Sequence, residues 1–282
     1  MMVDATRAEL LIEALPYIRK YENKTVVVKY GGNAMVSENL KDNVVNDIIL
    51  MASIGIRVVL VHGGGPDISD MMKKLGKEPV FVDGLRVTDE ETVDIAQMVL
   101  TGKIGKDIVK RLQNKGVKSV GICGLDGGCI KASPLDETHG LVGKIRKVDT
   151  TLITTLLDGG FIPIISPIGY DGEGNSYNIN ADSAASAVAG ALKAETLMIM
   201  TDTVGILRDV HDPSSLISRI YVSDAPQLME EGVIAGGMIP KVNCCIEAIR
   251  MGVSKVFILD GRQPHSMVME LFTDDCIGTM FI

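Results

Sequence analysis

The sequence has few cysteines and histidines, and none in a pattern that would organise a metal ion or a disulfide framework. Its 282 residues include five cysteines and four histidines. The cysteines are odd in number, no CxxC pair occurs among them, and the histidines are scattered. We therefore expect reduced, structural thiols, no disulfide scaffold and no metal ion held by protein ligands.

The chain also lacks an excess of basic residues and any long apolar run. It has 28 lysines and arginines against 36 acidic residues, a formal net charge of −8, which disfavours binding to nucleic acid or anionic lipid. Its apolar runs fall far short of the roughly 18 residues of a membrane helix. An acidic start, with Asp4 and Glu9, suits neither a secretory signal nor a transit peptide. We expect a cytoplasmic protein that binds neither nucleic acid nor membrane.

Aliphatic runs alternate with stretches of helical periodicity. Continuous runs such as 56–61 and 161–165 are typical of strands covered on both faces, as in a parallel sheet flanked by helices. Ser37 is expected to cap a helix, and Thr88 with Glu91 has the spacing of a capping box. Residues 127–147 are predicted to form hairpins inserted on the sheet. Together these features predict an α/β three-layer sandwich with a central, mainly parallel sheet.

The length predicts about two domains or lobes, and one large α/β unit is equally allowed. An amphipathic helix is expected within residues 1–22, where Leu10, Leu11, Ala14, Leu15 and Ile18 share one face. The remainder divides into a first lobe at 23–192 and a second at 193–282. Because composition does not change near residue 193, we expect the lobes to share one continuous sheet.

Glycine is abundant, with 30 residues, and three glycine clusters follow predicted strands: 29–33, 62–66 and 201–205. Glycines at the carboxyl ends of parallel strands let backbone N–H groups approach an anion such as phosphate. Each cluster also fits a tight turn, and Lys29 fits either a solvated strand end or an ammonium group directed at phosphate; we favour the second. The standard dinucleotide and P-loop fingerprints are absent, so the phosphate site must be of another kind.

These glycine segments resemble those of the amino-acid kinase family, which phosphorylates small acids. The lysine-Gly-Gly and Gly-Gly-Gly loops mark the wider family, and further segments point to its acetylglutamate branch. The resemblance covers nearly the whole chain and is carried by residues 29–35, 61–66, 84–89, 177–182, 201–207 and 236–241.

The resemblance implies transfer of a phosphoryl group from ATP to the side-chain carboxylate of N-acetyl-L-glutamate, on the route to arginine. Such a carboxylate is already ionised at neutral pH, so the site needs positive groups rather than a general base. By the same resemblance, Lys29 and Lys241 would stabilise the transferring phosphoryl group and Asp182 would position both. Mg²⁺ would arrive with ATP.

The family pattern also assigns binding residues. The acid substrate would be bound by Gly64, Gly65, Arg86 and Asn178. The nucleotide would be bordered by Gly31, Gly32, Thr201, Asp202 and Gly205.

Both ends of the chain resemble the arginine-inhibited members of the family, which are hexamers built as trimers of dimers. That likeness implies feedback inhibition by arginine, with His265, Glu270 and Gly278 as effector contacts. The N-terminal helix would join the dimers, although its apolar face could instead pack on its own subunit. A PII signalling protein is compatible with this architecture, but no residue demands one.

Two other functions stay open at this point. The chain could phosphorylate a different acceptor, such as free glutamate, aspartate or carbamate. It could also be a non-catalytic sensor of arginine or nucleotide, although the intact Lys29, Asp182 and Lys241 argue against that function.

Overall fold

The computed structural model describes residues 5–35, 37–274 and 276–282, without the side chains of residues 5–8, 10, 11, 33 and 34. Residues 1–4 of the predicted N-terminal segment, and the side chains of Leu10 and Leu11 on its predicted apolar face, lie outside the described part.

The described chain alternates strands with helices. The strands are β1 (Thr25–Tyr30), β2 (Arg57–His62), β3 (Phe81–Val82), β4 (Leu85–Arg86), β5 (Ser119–Cys123), β6 (Ile130–Pro134), β7 (Gly143–Val148), β8 (Ile162–Ser166), β9 (Ile168–Tyr170), β10 (Ser176–Asn178), β11 (Thr196–Thr201), β12 (Arg219–Ile220), β13 (Lys255–Asp260) and β14 (Thr279–Phe281). The helices are α1 (Ala5–Tyr21), α2 (Glu38–Ser53), α3 (Gly65–Lys74), α4 (Glu90–Gln97), α5 (Gly105–Asn114), α6 (Thr151–Asp158), α7 (Ala181–Ala191), α8 (Ala225–Glu230), α9 (Met238–Arg250) and α10 (Ser266–Phe272). A π-helical segment, Met98–Ile104, joins α4 to α5.

One eight-stranded sheet forms the centre of the fold, in the order β12-β14-β13-β11-β1-β2-β8-β5. The pairs from β13 through β11, β1, β2 and β8 to β5 are parallel, and β14 is antiparallel to β13. Strands from both predicted lobes belong to this sheet, while the boundary at residue 193 stays a prediction. The expected central, mainly parallel sheet is confirmed.

Both faces of this sheet are covered by helices. In β1, Val26 and Val28 belong to one hydrophobic cluster and Val27 to the other, as the alternation of a strand requires. Helices α1 to α5 and α10 contribute to the first cluster, and α6 to α9 to the second. The continuous aliphatic runs therefore follow from burial on two faces, and the three-layer sandwich is confirmed.

The predicted hairpin in 127–147 is present as the antiparallel pair β6 and β7. These strands do not join the central sheet; they form a separate four-stranded sheet in the order β10-β9-β6-β7. Short strands β3 and β4 form a further hairpin on their own.

One of the two helix caps predicted from the sequence is present in the structure, and the other is not. Ser37 caps α2, where its side chain accepts a hydrogen bond from the Leu40 N–H. The capping box assigned to Thr88 and Glu91 is wrong, because Asp89 caps α4 by accepting from the Thr92 N–H. The Thr88 hydroxyl instead donates to the Arg86 carbonyl.

The expected N-terminal helix is present as α1. Tyr17 and Ile18 are partly buried against the first cluster, whereas Ile12 and Leu15 are exposed. One part of α1 therefore packs on its own subunit, and another part leaves apolar side chains uncovered. Among the described residues, no helix has the length and apolar character needed to cross a membrane.

Candidate active site

Lys29 occupies the carboxyl end of the central strand β1, and its ammonium group points into a cleft. The residue is 8% exposed, and its Nζ lies 2.9 Å from Asp182 Oδ1. Gly31 follows closely: a Cβ at this position would lie 3.1 Å from Lys29 Nζ. Glycine therefore leaves room for the ammonium group at the start of the loop, and Gly32 continues that loop into a short 3₁₀ turn.

Asp182 lies in the first turn of α7 and contacts both predicted lysines. Its Oδ2 accepts a hydrogen bond of 2.8 Å from Lys241 Nζ, while its Oδ1 makes the ion pair with Lys29. Asn180 caps α7 by accepting from the backbone N–H groups of Asp182 and Ser183, which leaves the Asp182 carboxylate free for the lysines.

Two opposing effects set the pKa of Asp182. Burial is the largest and would raise the pKa, but the attraction of Lys29 and then of Lys241 outweighs it, so the pKa is lowered. The carboxylate is therefore ionised at neutral pH. A single buried anion thus holds two ammonium groups side by side, and the structure brings together the three residues predicted to be catalytic.

Lys241 reaches this position from α9, which begins after Gly236 and Gly237. Its side chain is 23% exposed, against 10% for that of Lys29. Lys29 therefore lies deeper in the cleft, and Lys241 lies closer to its opening.

Beside Lys29 is a pocket of about 200 Å³ that contains the predicted acid-binding residues. Its lining includes the triglycine loop 63–65 and the pair Arg86 and Asn178. Helices α3 and α7 begin at Gly65 and Ala181, which also line it. Helix N-termini carry partial positive charge, so the pocket favours a small anion.

Arg86 is the main charge of this pocket. The residue is 6% exposed, and its guanidinium donates to the Gly65 carbonyl at 2.9 Å and to the Ser69 hydroxyl at 2.8 Å. Burial lowers its pKa, but an arginine stays charged in proteins. No carboxylate of the described residues pairs with it. A buried cation without an anionic partner is costly, so the pocket is suited to a ligand carboxylate.

Asn178 lies across the pocket at the end of β10. Its side-chain amide makes a long contact of 3.4 Å to the Thr88 hydroxyl. That weak contact leaves the amide able to turn towards a ligand.

A larger cavity of about 1200 Å³ adjoins the pocket, and Gly84, Leu85, Val142 and Asn180 line both. Asp182, Lys241, Gly236 and Gly237 also line the larger cavity. Lys241, which Asp182 bridges to Lys29, therefore lines a space wide enough for a nucleotide that adjoins the small anion-binding pocket.

The predicted nucleotide residues at 201–205 divide into two groups. Thr201 is the last residue of β11 and Asp202 follows it; because β11 is paired with β1, both lie at the same edge of the sheet as Lys29. Gly205 packs against β14 instead: a Cβ there would lie 2.6 Å from Thr279 Oγ1, and its φ is 142°. Packing alone therefore explains why residue 205 is glycine, and its predicted contact with the nucleotide stays a prediction.

The candidate effector residues lie around α10. Glu270 accepts a hydrogen bond of 3.1 Å from the Ile277 N–H, and the Gly278 N–H also points at this carboxylate. Burial raises the Glu270 pKa. His265 lies just before α10, with its Nδ1 2.5 Å from Asp47 Oδ1 on α2. The structure therefore joins Glu270 to Gly278 and gives His265 a different partner.

Among the described residues, no group of three or more His, Cys, Asp or Glu side chains is arranged to hold an ion. A Mg²⁺ ion that enters with ATP would take most of its ligands from phosphate and water.

Sequence reasoning missed two features beside the site. His62 is buried at the end of β2, with Nε2 2.9 Å from the Ser166 hydroxyl, and no motif marks that pair. The β3–β4 hairpin places Phe81 under Arg86, 4.7 Å from ring centre to guanidinium carbon. The sequence does contain a signal for this hairpin, because Asp83-Gly84 is a typical two-residue hairpin turn. In the structure both residues have positive φ.

Comparison with known proteins extends this description. Residues 24–260 match the model of the Amino acid kinase family. The acetylglutamate kinase of Alkaliphilus metalliredigens is 53% identical over 274 residues, which cover 97% of this chain and 87% of that protein. The acetylglutamate kinase of Heliobacterium modesticaldum is 51% identical, with both chains covered completely.

Among solved structures, the N-acetylglutamate synthase of Neisseria gonorrhoeae with coenzyme A and N-acetyl-glutamate aligns at a TM-score of 0.85 with 31% identity. It covers 97% of this chain, which spans only 63% of the synthase. The synthase complexed with coenzyme A and L-arginine aligns at 0.81 with 29% identity, over 97% of this chain and 65% of that one.

The relatives match the chain over nearly its full length, and that match includes the segments that carry Lys29, Asp182 and Lys241. The chain therefore belongs to the amino acid kinase family and, within it, to the acetylglutamate kinases.

Proposed function

We propose that the enzyme transfers the γ-phosphoryl group of ATP to the side-chain carboxylate of N-acetyl-L-glutamate, giving N-acetyl-L-glutamyl 5-phosphate for arginine biosynthesis. The observation that carries this proposal is the Asp182 carboxylate, which holds Lys29 and Lys241 together where the small pocket meets the large cavity. The family of the chain supports the choice of acceptor.

The reaction needs charge neutralisation more than proton transfer. A carboxylate oxygen of the acceptor attacks the γ-phosphorus, the bond between that phosphorus and the β–γ bridging oxygen breaks, and ADP leaves with the electron pair. Both reactants are anions, and a carboxylate with a pKa near 4.3 needs no base at neutral pH. Lys29 would stabilise the transferring group from the acceptor side and Lys241 from the nucleotide side, while Asp182 fixes both ammonium groups.

Recognition of the acceptor falls to the small pocket. The Arg86 guanidinium would pair with the α-carboxylate of acetylglutamate, which supplies the anion that the buried cation lacks. Asn178 would donate to the same ligand, and the backbone N–H groups of Gly64 and Gly65 would face its reacting carboxylate. A volume of about 200 Å³ suits a small acid rather than a nucleotide.

ATP would bind beside Lys241, with its adenosine bordered by Thr201, Asp202 and Gly205, three residues that lie outside the lining of the larger cavity. Its terminal phosphates would lie at Gly31 and Gly32, next to Lys29. Mg²⁺ belongs to this substrate as the MgATP complex, which lowers the charge on the phosphates.

We further propose feedback inhibition by arginine at the end of the chain, in a homohexamer that is a trimer of dimers. Glu270 supports this, because a half-buried carboxylate near Gly278 can pair with a guanidinium. The exposed Ile12 and Leu15 of α1 support a role for this helix between subunits. A related synthase has also been solved with L-arginine.

Trapping the acyl phosphate with hydroxylamine tests the activity. Acetylglutamate, glutamate, aspartate and carbamate are offered in parallel with ATP, and we expect hydroxamate from acetylglutamate well above the others. Folded, ATP-binding protein that yields no product with acetylglutamate would refute the proposal.

Alanine variants of the two lysines test the roles. We expect Lys29→Ala and Lys241→Ala to lose about 100- to 1000-fold in kcat. Lys103→Ala is the matched control, since it removes a lysine from an exposed ion pair with Asp67. Near-normal turnover in both cleft variants would overturn the assigned roles.

A further inference from the structure

A histidine outside the proposed machinery, His139, connects a surface loop to the β3–β4 hairpin. Its side chain is 7% exposed, and its Nδ1 lies 2.8 Å and 2.9 Å from the two carboxylate oxygens of Asp136. Its Nε2 lies 3.2 Å from the Val82 carbonyl in the hairpin. The ring therefore bridges the loop and the hairpin.

Both ring nitrogens of His139 face acceptors. A neutral imidazole carries one N–H and one lone pair, so only the imidazolium can donate to Asp136 and to Val82 at once. When the ring loses a proton, the carboxylate retains the N–H on Nδ1, and the Nε2 lone pair then faces the Val82 carbonyl. Deprotonation therefore removes the bond to the hairpin and replaces it with repulsion.

The charges around His139 favour the protonated ring. Asp136 faces it from its own loop and Asp83 from the turn of the hairpin, and both are acidic. The pKa of His139 is raised, first by the hydrogen bond to Asp136 and then by the bond to the Val82 carbonyl, against the opposing effect of burial. The bridge is thus fully present below about pH 6.5 and is lost as pH rises through the raised pKa.

The hairpin depends on attachments outside itself. The Thr88 N–H donates to the His139 carbonyl, the Arg86 guanidinium is held by Gly65 and Ser69, and the His139 ring adds the bond to Val82. Each of its strands has two residues, and an isolated two-stranded hairpin is marginal in water. Yet Arg86, Phe81, Gly84 and Leu85, all from this hairpin, line the small pocket. A looser hairpin would therefore misplace Arg86 without affecting Lys29 or Asp182.

We propose that His139, as an imidazolium, is a positioning residue that holds the β3–β4 hairpin over the acid-binding pocket and makes affinity for the acid substrate depend on pH. This inference rests on the proposed function for the identity of that acid. If His139 acts in this way, its deprotonation changes KM for the acid substrate and leaves kcat unchanged.

The first test uses the wild-type enzyme without substrate. The ring of His139 is titrated by NMR with ¹³C-labelled histidine, which gives only four signals to assign, and hydrogen exchange of amides 81–88 is followed over the same pH range. We expect His139 to titrate above the ordinary histidine value of about 6.5 and the amides to exchange faster as it deprotonates. A ring that titrates normally, or amides that do not follow it, would overturn the proposal.

The second test measures KM and kcat for acetylglutamate from about pH 6 to about pH 9. We expect KM to rise about threefold to tenfold through the His139 titration. This is less than the loss of a charged hydrogen bond to the substrate would cause, because the bond acts on the pocket only through the hairpin. We expect kcat to follow the same pH curve in wild type and variants. His139→Gln should remove the pH dependence of KM, and Asp136→Asn should move it to lower pH. His211→Gln, at an exposed histidine, should keep the wild-type profile.

The outcomes separate the two proposals. If acetylglutamate is not the substrate, it fails to bind at every pH, while the ring titration and amide exchange still report on the bridge. If acetylglutamate is phosphorylated but His139→Gln retains the wild-type KM profile, the role of His139 is wrong and the proposed function stands.

Discussion

Arg86 shows how a single buried side chain can carry specificity. Its guanidinium is fixed by the Gly65 carbonyl and the Ser69 hydroxyl and still lacks a carboxylate partner among the described residues. Lysine keeps the charge but not the planar fork that binds a carboxylate through two hydrogen bonds.

We therefore expect Arg86→Lys to raise KM for acetylglutamate by about 10- to 100-fold, the range for losing a charged hydrogen bond, while kcat changes little. Steady-state kinetics with varied acetylglutamate measures this. Lys77→Arg is the matched control: it exchanges the same two residue types at Lys77, which pairs with the exposed carboxylates of Asp89 and Glu91. An unchanged KM in Arg86→Lys would exclude a bidentate contact.

His62 predicts how stability depends on pH. Burial is the main cause that lowers its pKa to about 4, against about 6.5 in an unfolded chain. Below pH 6.5 the imidazole of the unfolded chain therefore binds a proton that the buried ring of the folded protein does not bind. The free energy of unfolding consequently decreases as the pH falls. Over the range from pH 6.5 to pH 4 this amounts to about 3 kcal/mol.

We expect urea denaturation to give a lower free energy of unfolding at pH 5 than at pH 7. His62→Gln should show a smaller difference between the two pH values, because Gln has no titrating ring. An equal difference in wild type and variant would assign the acid sensitivity to other groups.

At the scale of elements, the triglycine loop is shaped by the π-helical segment behind it. A Cβ on Gly64 would overlap Ile104 Cδ1 and lie 2.7 Å from Leu100 Cδ2, and both side chains are buried. The φ of Gly64 is 175°, which any residue can adopt, so the restriction comes from space.

We expect Gly64→Ala to lower the free energy of unfolding by about 1–3 kcal/mol through overpacking and to raise KM for acetylglutamate. Denaturant titration and kinetics measure the two effects. Gly102→Ala is the control, since a Cβ there meets nothing within 4 Å. Equal stability of the two variants would show that Leu100 and Ile104 of the π-helical segment shift to accommodate the added methyl group without a measurable energetic cost.

The elements also show which features the sequence could predict. Aliphatic runs such as 58–61 identified the buried parallel strands because burial on two faces leaves no polar position within them. The capping box at Thr88 failed because two adjacent residues can each cap a helix here: Asp89 caps α4, while the Thr88 hydroxyl donates two residues back, to the Arg86 carbonyl. A motif counts spacing along the chain, and it does not detect such competition.

The candidate site divides in the same way. Lys29, Asp182 and Lys241 were found together because a family pattern names them, although they are distant along the chain. His62 with Ser166, and His139 with Val82, were missed because each pair joins two segments without a motif. The Asp83-Gly84 turn was visible in the sequence and still passed over, since two-residue strands carry no periodicity.

At the scale of the whole molecule, the ends of the chain meet. Tyr21 of α1 packs edge to face on Phe272 of α10, with ring centres 6.4 Å apart, close to the half-buried Glu270. An effector bound at Glu270 would therefore contact the helix proposed to join subunits.

We expect L-arginine to inhibit the reaction and Glu270→Gln to lose that inhibition while keeping basal activity, because the amide can still accept from the Ile277 N–H. Deletion of residues 1–22 should leave smaller oligomers by light scattering. Glu231→Gln, at an exposed glutamate, should retain inhibition. Inhibition that survives in Glu270→Gln would place the effector elsewhere, and an unchanged mass would exclude the joining role of α1.

The order of the central sheet has a consequence for biosynthesis. Strand β1 pairs with β2 on one side, but its other neighbour, β11, begins only at Thr196. A nascent chain that has emerged as far as β8 therefore exposes an apolar strand edge, which invites aggregation. We expect ribosome-bound intermediates of this length to need chaperone protection until the rest of the sheet has been translated.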